Sequence, residues 1–333
     1  MIRDYLEISR FFNMGITGIA PVLGAFSMYT VGGLSLLQLS LLFLIGCLSH
    51  TYGFVLNDVF DINIDVLSKD LMARPLVRGS ITRRRATVFA VCCLLISFLL
   101  TWFFYTTLSL SRYLILLVVL GIAYTLATAY NILSKKYPGM DLLVASAIFF
   151  LILFGACAVG RLTPLAWIVA LIGGLQVLFM NMINGAIKDI DHDKDGKART
   201  LAIWLGAKVH AGVIALPLSF KTMGYLIEIS RTVLVFLPLV FFFRPLSLWQ
   251  LPLLAFFTVL TFVFIYRLFS IKVFDRSRIR RNIGIIVICM YATAPIMLSY
   301  LNVWFLIAAL IPPIWFLLSN ILLHNTFLEP KTM

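Results

Sequence analysis

The sequence predicts an all-α membrane protein, a polytopic bundle of transmembrane helices, and its composition and the length of its apolar runs support this. Of its 333 residues, 62% are hydrophobic and only 12% are charged, and the mean hydropathy is +1.02. Soluble domains are about 45–50% apolar and about 25% charged. Apolar runs of about 20 residues, the length that crosses a ~30 Å hydrocarbon core as a helix, recur along the chain. Runs of this length indicate helices rather than the shorter strands of a membrane β-barrel.

Ten such apolar segments can be delimited, and each is expected to form a helix in the membrane. They cover residues 10–31, 36–57, 86–107, 112–133, 141–160, 164–187, 225–243, 250–270, 283–301 and 303–322. Asn302 separates the last two segments, and the adjacent Pro312 and Pro313 predict a kinked, partial or re-entrant final helix. The sequence alone therefore leaves the number of spans at nine or ten.

The basic residues predict the orientation of these helices. Most of the 27 Lys and Arg residues lie in the N-terminal tail and in four segments between alternate pairs of apolar runs. These segments are residues 58–85, 134–140, 188–231 and 267–281. By the positive-inside rule, the N-terminus and these segments are cytoplasmic. The net charge of +13 then reflects loops beside anionic membrane lipid, and no nucleic-acid partner is expected.

The acidic residues are concentrated at the ends of the second and sixth apolar segments. More than half of the 14 Asp and Glu residues lie there: Asp58, Asp61, Asp65, Asp70, Asp189, Asp191, Asp193 and Asp195. Asn57 and Asp61 are an i, i+4 pair, and Asp189 and Asp193 form a second i, i+4 pair. The separation from Asn57 to Asp189 therefore equals that from Asp61 to Asp193. The repeated spacing suggests two related halves, as in membrane proteins built from internal repeats.

Helical spacing gives these residues a common face. At about 100° per residue, side chains four positions apart are displaced by only about 40°, so the carboxylates stack and repel one another. A counter-cation is therefore expected. Oxygen ligands without Cys or His at ligand spacing favour Mg²⁺, which normally completes its shell with water and substrate phosphates. The predicted ligands of this diphosphate-binding metal site are Asn57, Asp58, Asp61, Asp65, Asp189 and Asp193.

Three other interpretations explain the acidic clusters less well. Residues 191–196 imitate the start of an EF-hand loop, but the twelfth position is Ala202 where a bidentate Glu is required. Residues 195–199 partly match the CDP-alcohol phosphotransferases, yet the spacing is one residue short and the next Asp is Asp275. A purely solvating role for the acidic residues explains one helix end, but not two matched clusters.

The two motifs resemble a known family. The stretch "NDVFDINID" (57–65) is similar to the NxxxDxxxD signature of the UbiA-type intramembrane prenyltransferases, and residues 189–193 match their DxxxD motif. The downstream stretches "RPLVRGSIT" (74–82) and "RTLAIWLG" (199–206) also resemble that family. Between them, "YNILSKKYPGMD" (130–141) is similar to its Tyr-Lys-Gly-Asp stretch.

The resemblance implies a fold and a reaction. It implies a bundle of about nine helices around a central cavity, formed by residues 1–333 as one integral-membrane domain. The first Asp-rich loop (57–82) and the second loop with its cap (188–224) would close this cavity, with 207–224 lying at the interface. The implied activity is Mg²⁺-dependent transfer of a prenyl chain from an isoprenyl diphosphate to an aromatic or glycerol-phosphate lipid acceptor. Such a reaction belongs to quinone or archaeal-type ether-lipid synthesis and releases pyrophosphate.

The resemblance also implies roles for individual residues. Asp61, Asp65, Asp189 and Asp193 are the expected catalytic carboxylates. A further set of six cations, one tyrosine and one asparagine is expected to contact the diphosphate: Asn57, Lys69, Arg74, Arg78, Tyr130, Lys135, Lys136 and Lys188. For any single cation, the alternative is that its charge only sets the topology or faces lipid.

Gly155 and Gly160 are small residues within an apolar segment, and they are expected to permit close helix approach.

One alternative function remains open at this stage. An ion-coupled membrane transporter would also carry acidic residues on discontinuous helices, and would use the two clusters as cation sites. Transporter sites lie near the bilayer midplane, whereas these carboxylates lie at predicted cytoplasmic helix ends among many basic residues. Diphosphate chemistry accounts for both signs of charge, so we expect an enzyme in the cell or inner membrane.

Overall fold

A computed structural model describes residues 2–29, 34–66, 71–195, 198–243 and 249–326. It confirms the all-α class. The chain divides into two compact units. The first comprises Met1–Ile132, Ser146–Ala170 and Ile311–Met333, and the second comprises Leu133–Ala145 and Leu171–Leu310.

The first unit contains the N-terminal helices. They are α1 (Ile2–Ile8), a 3₁₀ turn (Phe11–Asn13), α2 (Met14–Phe26), α3 (Leu36–Asp65), α4 (Arg83–Tyr105) and most of α5 (Leu110–Leu133), with most of α6 (Asp141–Val159). Capping side chains define where the longest of these begin. Ser35 Oγ accepts a hydrogen bond from the backbone N–H of Gln38, and the Gln38 side-chain oxygen accepts one from the backbone N–H of Ser35, so α3 starts with a complete capping box. Thr82 caps α4 by accepting a hydrogen bond from the backbone N–H of Arg85.

The second unit contains the later helices and one short hairpin. After α7 (Pro164–Phe179) come a π-helical segment (Met180–Gly185), α8 (Ala186–Asp195), α9 (Leu201–Trp204), the antiparallel strands β1 (Lys208–His210) and β2 (Val213–Ala215), α10 (Leu218–Phe241), α11 (Gln250–Phe269), α12 (Arg276–Leu298), a 3₁₀ turn (Val303–Leu306) and α13 (Ile307–His324). Its core includes Phe179, Ile183, Phe220 and Ile265, all fully buried. The helix α7 begins in the first unit, and α13 ends there.

Within the described ranges, nine helices are long and apolar enough to cross a membrane. The predicted segment 10–31 is the exception, because its apolar helix covers only Phe11–Phe26. The other nine predicted segments each correspond to one of the long helices. Asn302 does separate the last two, since its side chain caps the following turn by accepting from the backbone of Trp304. The final helix α13 continues through both prolines.

Two predictions for the second unit need correction. Residues 207–224 are not one interfacial segment: they contain the β1–β2 hairpin, and from Leu218 onward they form the first turns of α10. Arg231, counted among the loop cations, lies in the interior of α10 and is fully buried. Its guanidinium donates two hydrogen bonds to Glu228, at 2.8 and 2.6 Å, and one to Thr293 Oγ1 at 2.9 Å. An ion pair within the helix explains how an arginine can be buried in an apolar span.

The helices α2 and α6 approach so closely that only glycine fits at the contact. A Cβ added to Gly155 would lie 1.8 Å from the Pro21 carbonyl oxygen, and one added to Gly24 would lie 1.9 Å from that of Ile152. Small residues allow such backbone approach in membrane helices. The prediction for Gly155 is confirmed. At Gly160 the neighbouring group is the methyl end of the Met28 side chain instead.

We expect Gly155→Ala to destabilise the protein by about 1–3 kcal/mol, because the added methyl group forces the two backbones apart. Thermal unfolding of the purified protein measures this. Gly121→Ala is the matched control, since a Cβ there meets open space within a helix. Equal unfolding temperatures for the two variants would contradict the close contact.

Candidate functional site

The first carboxylate cluster lies in the last turns of α3, within the first unit. Asn57 Nδ2 donates a hydrogen bond to Asp61 Oδ2 at 3.1 Å, so the predicted stacking of i, i+4 side chains is present. Asp61 and Asp65 are both buried, each with 7% of its surface exposed. These three residues are spaced by one helical turn each and share one face of the helix. An amide oxygen and two carboxylates are therefore brought together in one stack.

Asp58 lies on the neighbouring face of α3, where two arginines hold it. Its Oδ1 accepts from Arg10 Nη2 at 2.8 Å and from Arg74 Nη1 at 3.3 Å. The same Arg74 nitrogen donates to Asp65 Oδ2 at 2.5 Å. Buried carboxylates need such partners, because an uncompensated charge away from water is strongly destabilising. The structure thus places Arg74, a predicted diphosphate cation, between two carboxylates of this cluster.

Arg78, another predicted diphosphate cation, contacts α1 instead. Its guanidinium donates to Glu7 Oε2 at 2.8 Å and to Asp4. The Arg78 guanidinium lowers the pKa of the Asp4 carboxyl to about 2, because the hydrogen bond favours the charged form. Lys69 and Asp70 lie outside the described residues.

The second cluster lies on α8, within the second unit. Asp193 is buried, and Lys135 Nζ donates to its Oδ1 at 2.6 Å. Lys188 Nζ lies 3.4 Å from Asp189 Oδ2. The Asp189 side chain is 41% exposed, so the two carboxylates of this pair differ in their access to solvent. Of the four predicted lysines, Lys135 and Lys188 therefore lie beside predicted catalytic carboxylates.

Two local features orient this second cluster. The π-helical segment immediately precedes α8, and π-helical turns inside α-helices are often found at functional sites. The backbone of Arg199 donates to the Lys135 carbonyl oxygen at 3.0 Å, which ties the segment after α8 to the segment that carries the lysine. The neighbouring Asp191 accepts from Arg276 with both of its oxygens at 2.8 Å.

The remaining predicted residues differ in their surroundings. Tyr130 lies in α5 and is half-buried, whereas Lys136 is exposed. The structure therefore distinguishes the two adjacent lysines, which the sequence could not.

We expect Lys135→Met to lower prenyl transfer by about 10- to 100-fold, a usual cost of losing a residue that orients a functional carboxylate. Steady-state rates of this variant and of Lys136→Met test this, and equal rates would contradict it.

The oxygen-rich clusters suit a hard divalent cation that is completed by a ligand. Among the described residues, no three Asp, Glu, His or Cys side chains are gathered into a ready-made metal site. Mg²⁺ is seldom held in an all-protein cage and is usually bound by one or two carboxylates together with substrate phosphates. The Asn57–Asp61 stack and the Asp189–Asp193 pair each offer such a partial donor set.

Sequence reasoning missed the roles of three charged residues, Arg10, Glu228 and Arg231. Arg10 lies outside both motifs. Its contact with Asp58 joins positions far apart in the chain, so sequence spacing does not indicate it. Glu228 and Arg231 could have been found, since opposite charges three positions apart inside an apolar run indicate a buried pair.

Comparisons with known proteins agree with this architecture. The UbiA prenyltransferase family matches residues 18–283. The chain is 32% identical to the digeranylgeranylglyceryl phosphate synthase of Thermococcus kodakarensis over 64% of its own length and 73% of the relative's. It is 33% identical to the synthase of the same name from Pyrococcus horikoshii, over 66% and 75% of the two chains.

Solved structures share the fold. A UbiA homolog from Archaeoglobus fulgidus, bound to GPP and Mg²⁺, superposes with a TM-score of 0.64 at 19% identity, covering 89% of this chain and 99% of the other. A structure described as digeranylgeranylglyceryl phosphate synthase in membranes gives a TM-score of 0.63 at 21% identity, with 93% and 99% covered. The ion-coupled transporter interpretation is accordingly not retained. This chain is an integral membrane prenyltransferase and belongs to the UbiA prenyltransferase family.

Proposed function

We propose that this enzyme transfers a prenyl chain from an isoprenyl diphosphate to a hydroxyl group of a glycerol-phosphate lipid, in ether-lipid synthesis. The acceptor is inferred from the similarity to several digeranylgeranylglyceryl phosphate synthases, which extends over about three quarters of their length. An aromatic acceptor, the other class expected from the sequence, has no comparable support.

In this reaction the allylic C–O bond between the prenyl chain and the diphosphate breaks. A new C–O bond forms between the same carbon and the acceptor oxygen, whose proton passes to water, and pyrophosphate leaves. The leaving group gains negative charge as the bond breaks, so nearby positive charge lowers the barrier. Bound Mg²⁺ would supply much of that charge.

The residues of the chain have separate tasks in this proposal. Asn57, Asp61 and Asp65 on α3 and Asp189 and Asp193 on α8 would hold Mg²⁺. Their described contacts support this, since each set presents oxygen atoms on successive turns of one helix.

The basic residues would complete the site and orient the protein. Lys135 and Lys188 stand beside the α8 carboxylates and would contact oxygens of the diphosphate. Arg83, Arg84 and Arg85 are exposed at the start of α4, where they suit a membrane surface that carries phosphate groups. We further propose that the N-terminus and both carboxylate clusters face the cytoplasm, where this positive charge is expected.

The test is a transfer assay with purified protein in lipid, labelled geranylgeranyl diphosphate and Mg²⁺. The acceptors are geranylgeranylglyceryl phosphate and a panel of hydroxylated aromatic acids. We expect the label to move onto the lipid acceptor, and a chelator to stop the transfer. Transfer to an aromatic acid alone would contradict the proposed lipid acceptor. Transfer that continues in the presence of the chelator would contradict the proposed Mg²⁺ dependence.

A further inference from the structure

Arg10 has a strained backbone that neither the sequence motifs nor the proposed reaction explains. Its φ of 46° and ψ of 50° place it in the left-handed region, which residues other than glycine adopt uncommonly. Strain of this kind persists only where surrounding contacts enforce it, and it clusters at functional sites. The contacts of Arg10 therefore indicate what the strained conformation achieves.

Three residues of α3, spaced one turn apart, hold this arginine. His50 Nε2 donates to the Arg10 carbonyl oxygen at 3.3 Å. The guanidinium carbon lies 4.7 Å from the centre of the Phe54 ring, a cation–π contact. Arg10 Nη2 donates to Asp58 Oδ1 at 2.8 Å. One face of α3 thus binds the backbone, the flat face and the edge of the same side chain.

The histidine is itself fixed in one tautomer. A carbonyl oxygen only accepts hydrogen bonds, so the Nε2 atom of His50 carries the proton that it donates to Arg10. Its Nδ1 atom then accepts from Thr17 Oγ1, which lies 3.0 Å away. His50 is buried, and these two bonds hold its ring between α2 and the Arg10 backbone.

The contact continues from Arg10 into the first carboxylate cluster. Asp58 is 3% exposed and shares its Oδ1 between Arg10 and Arg74. The Arg74 nitrogen on this oxygen also binds Asp65. Two guanidiniums thus balance two buried carboxylates in the order Arg10, Asp58, Arg74, Asp65. Without Arg10, Asp58 would keep a single shared partner and would draw Arg74 away from Asp65.

We propose that Arg10 is a positioning residue, which neutralises Asp58 so that Arg74 remains on Asp65 and orients that carboxylate. The inference rests on the proposed function, in which Asp65 serves the diphosphate donor. It assigns a role in the reaction to the N-terminal segment, which has no motif residue of its own.

The first test is Arg10→Gly, because glycine adopts the left-handed conformation without strain and keeps the backbone contact with His50. We expect transfer to fall by about 10- to 100-fold, as for other losses of a supporting partner at a metal site. The Mg²⁺ concentration for half-maximal rate should rise, which a smaller amount of folded protein would not cause by itself. The unfolding temperature should fall, because the buried Asp58 keeps only one cationic partner. Arg3→Ala is the matched control, because this arginine of α1 is 68% exposed and donates its hydrogen bonds to Glu7 and to the Leu323 carbonyl oxygen.

The decisive variant is the double substitution Arg10→Gly with Asp58→Asn. Removing the Asp58 charge also removes its pull on Arg74, so the double variant should be more active than Arg10→Gly alone. Losses that multiply instead would overturn the proposal, since Arg10 would then act independently of Asp58. An Arg10→Gly protein as active as the wild type would overturn it as well. Failure of the proposed function is a separate result, because it appears as inactive wild-type protein.

Discussion

Asp61→Asn is expected to reduce prenyl transfer by about 10²- to 10³-fold, the usual cost of removing one group that stabilises developing charge. Asparagine keeps the shape of the side chain and its contact with Asn57 but removes the negative charge that Mg²⁺ requires. Asp193→Asn should have a similar effect, because Asp193 lies at the corresponding position of the second motif. Steady-state kinetics at saturating Mg²⁺, with the unfolding temperature of each variant, measures the loss.

Asp275→Asn is the matched control for these two variants. Asp275 caps α12 by accepting from the backbone of Arg278 at 3.1 Å, and asparagine is an equally good cap. Its activity and stability should therefore be close to those of the wild type. Near-normal activity of Asp61→Asn in a well-inserted protein would contradict the role of the α3 cluster.

Arg231→Met is expected to cause the largest loss of stability, about 3–5 kcal/mol. Glu228 and Arg231 are both fully buried in α10, and the substitution leaves the Glu228 carboxylate without its charged partner. Denaturant or thermal unfolding in detergent measures this. Arg281→Met is the control, since Arg281 is exposed on α12 and exposed substitutions usually change stability by less than about 0.5 kcal/mol.

The double variant Glu228→Gln with Arg231→Met distinguishes an ion pair from simple packing. Removing both charges leaves no uncompensated group, so the double variant should recover most of the lost stability. A double variant less stable than Arg231→Met would contradict this explanation. Prenyl transfer should follow the amount of folded protein in both cases, because the pair is buried and fully satisfied.

The helical period made the carboxylate clusters predictable from the sequence. Asn57, Asp61 and Asp65 had to share a face once α3 was recognised as a helix, and the structure shows the Asn57–Asp61 hydrogen bond. Nine of the ten predicted apolar segments correspond to a long apolar helix in the described part of the chain. Both results follow from local spacing, which a single sequence displays directly.

Contacts between distant segments were not predictable in the same way. Nothing in the sequence connects Arg10 to Asp58, or distinguishes Lys135 from Lys136 as the partner of Asp193. The distribution of basic residues placed Arg231 among the loop cations, because a sequence shows an arginine as a charge whether or not Glu228 neutralises it. Partner choice depends on tertiary packing, which positional spacing does not encode.

The most direct test of the account is binding of a non-reactive isoprenyl thiodiphosphate to the purified protein, measured by calorimetry with and without Mg²⁺. The wild type should bind the analogue with Mg²⁺ and should lose most of its affinity when a chelator is present. Asp61→Asn and Asp193→Asn should each lose it too, while Asp275→Asn should not. Tight binding that is independent of Mg²⁺ and unchanged in both variants would contradict the proposal that each carboxylate cluster takes part in Mg²⁺-dependent diphosphate binding.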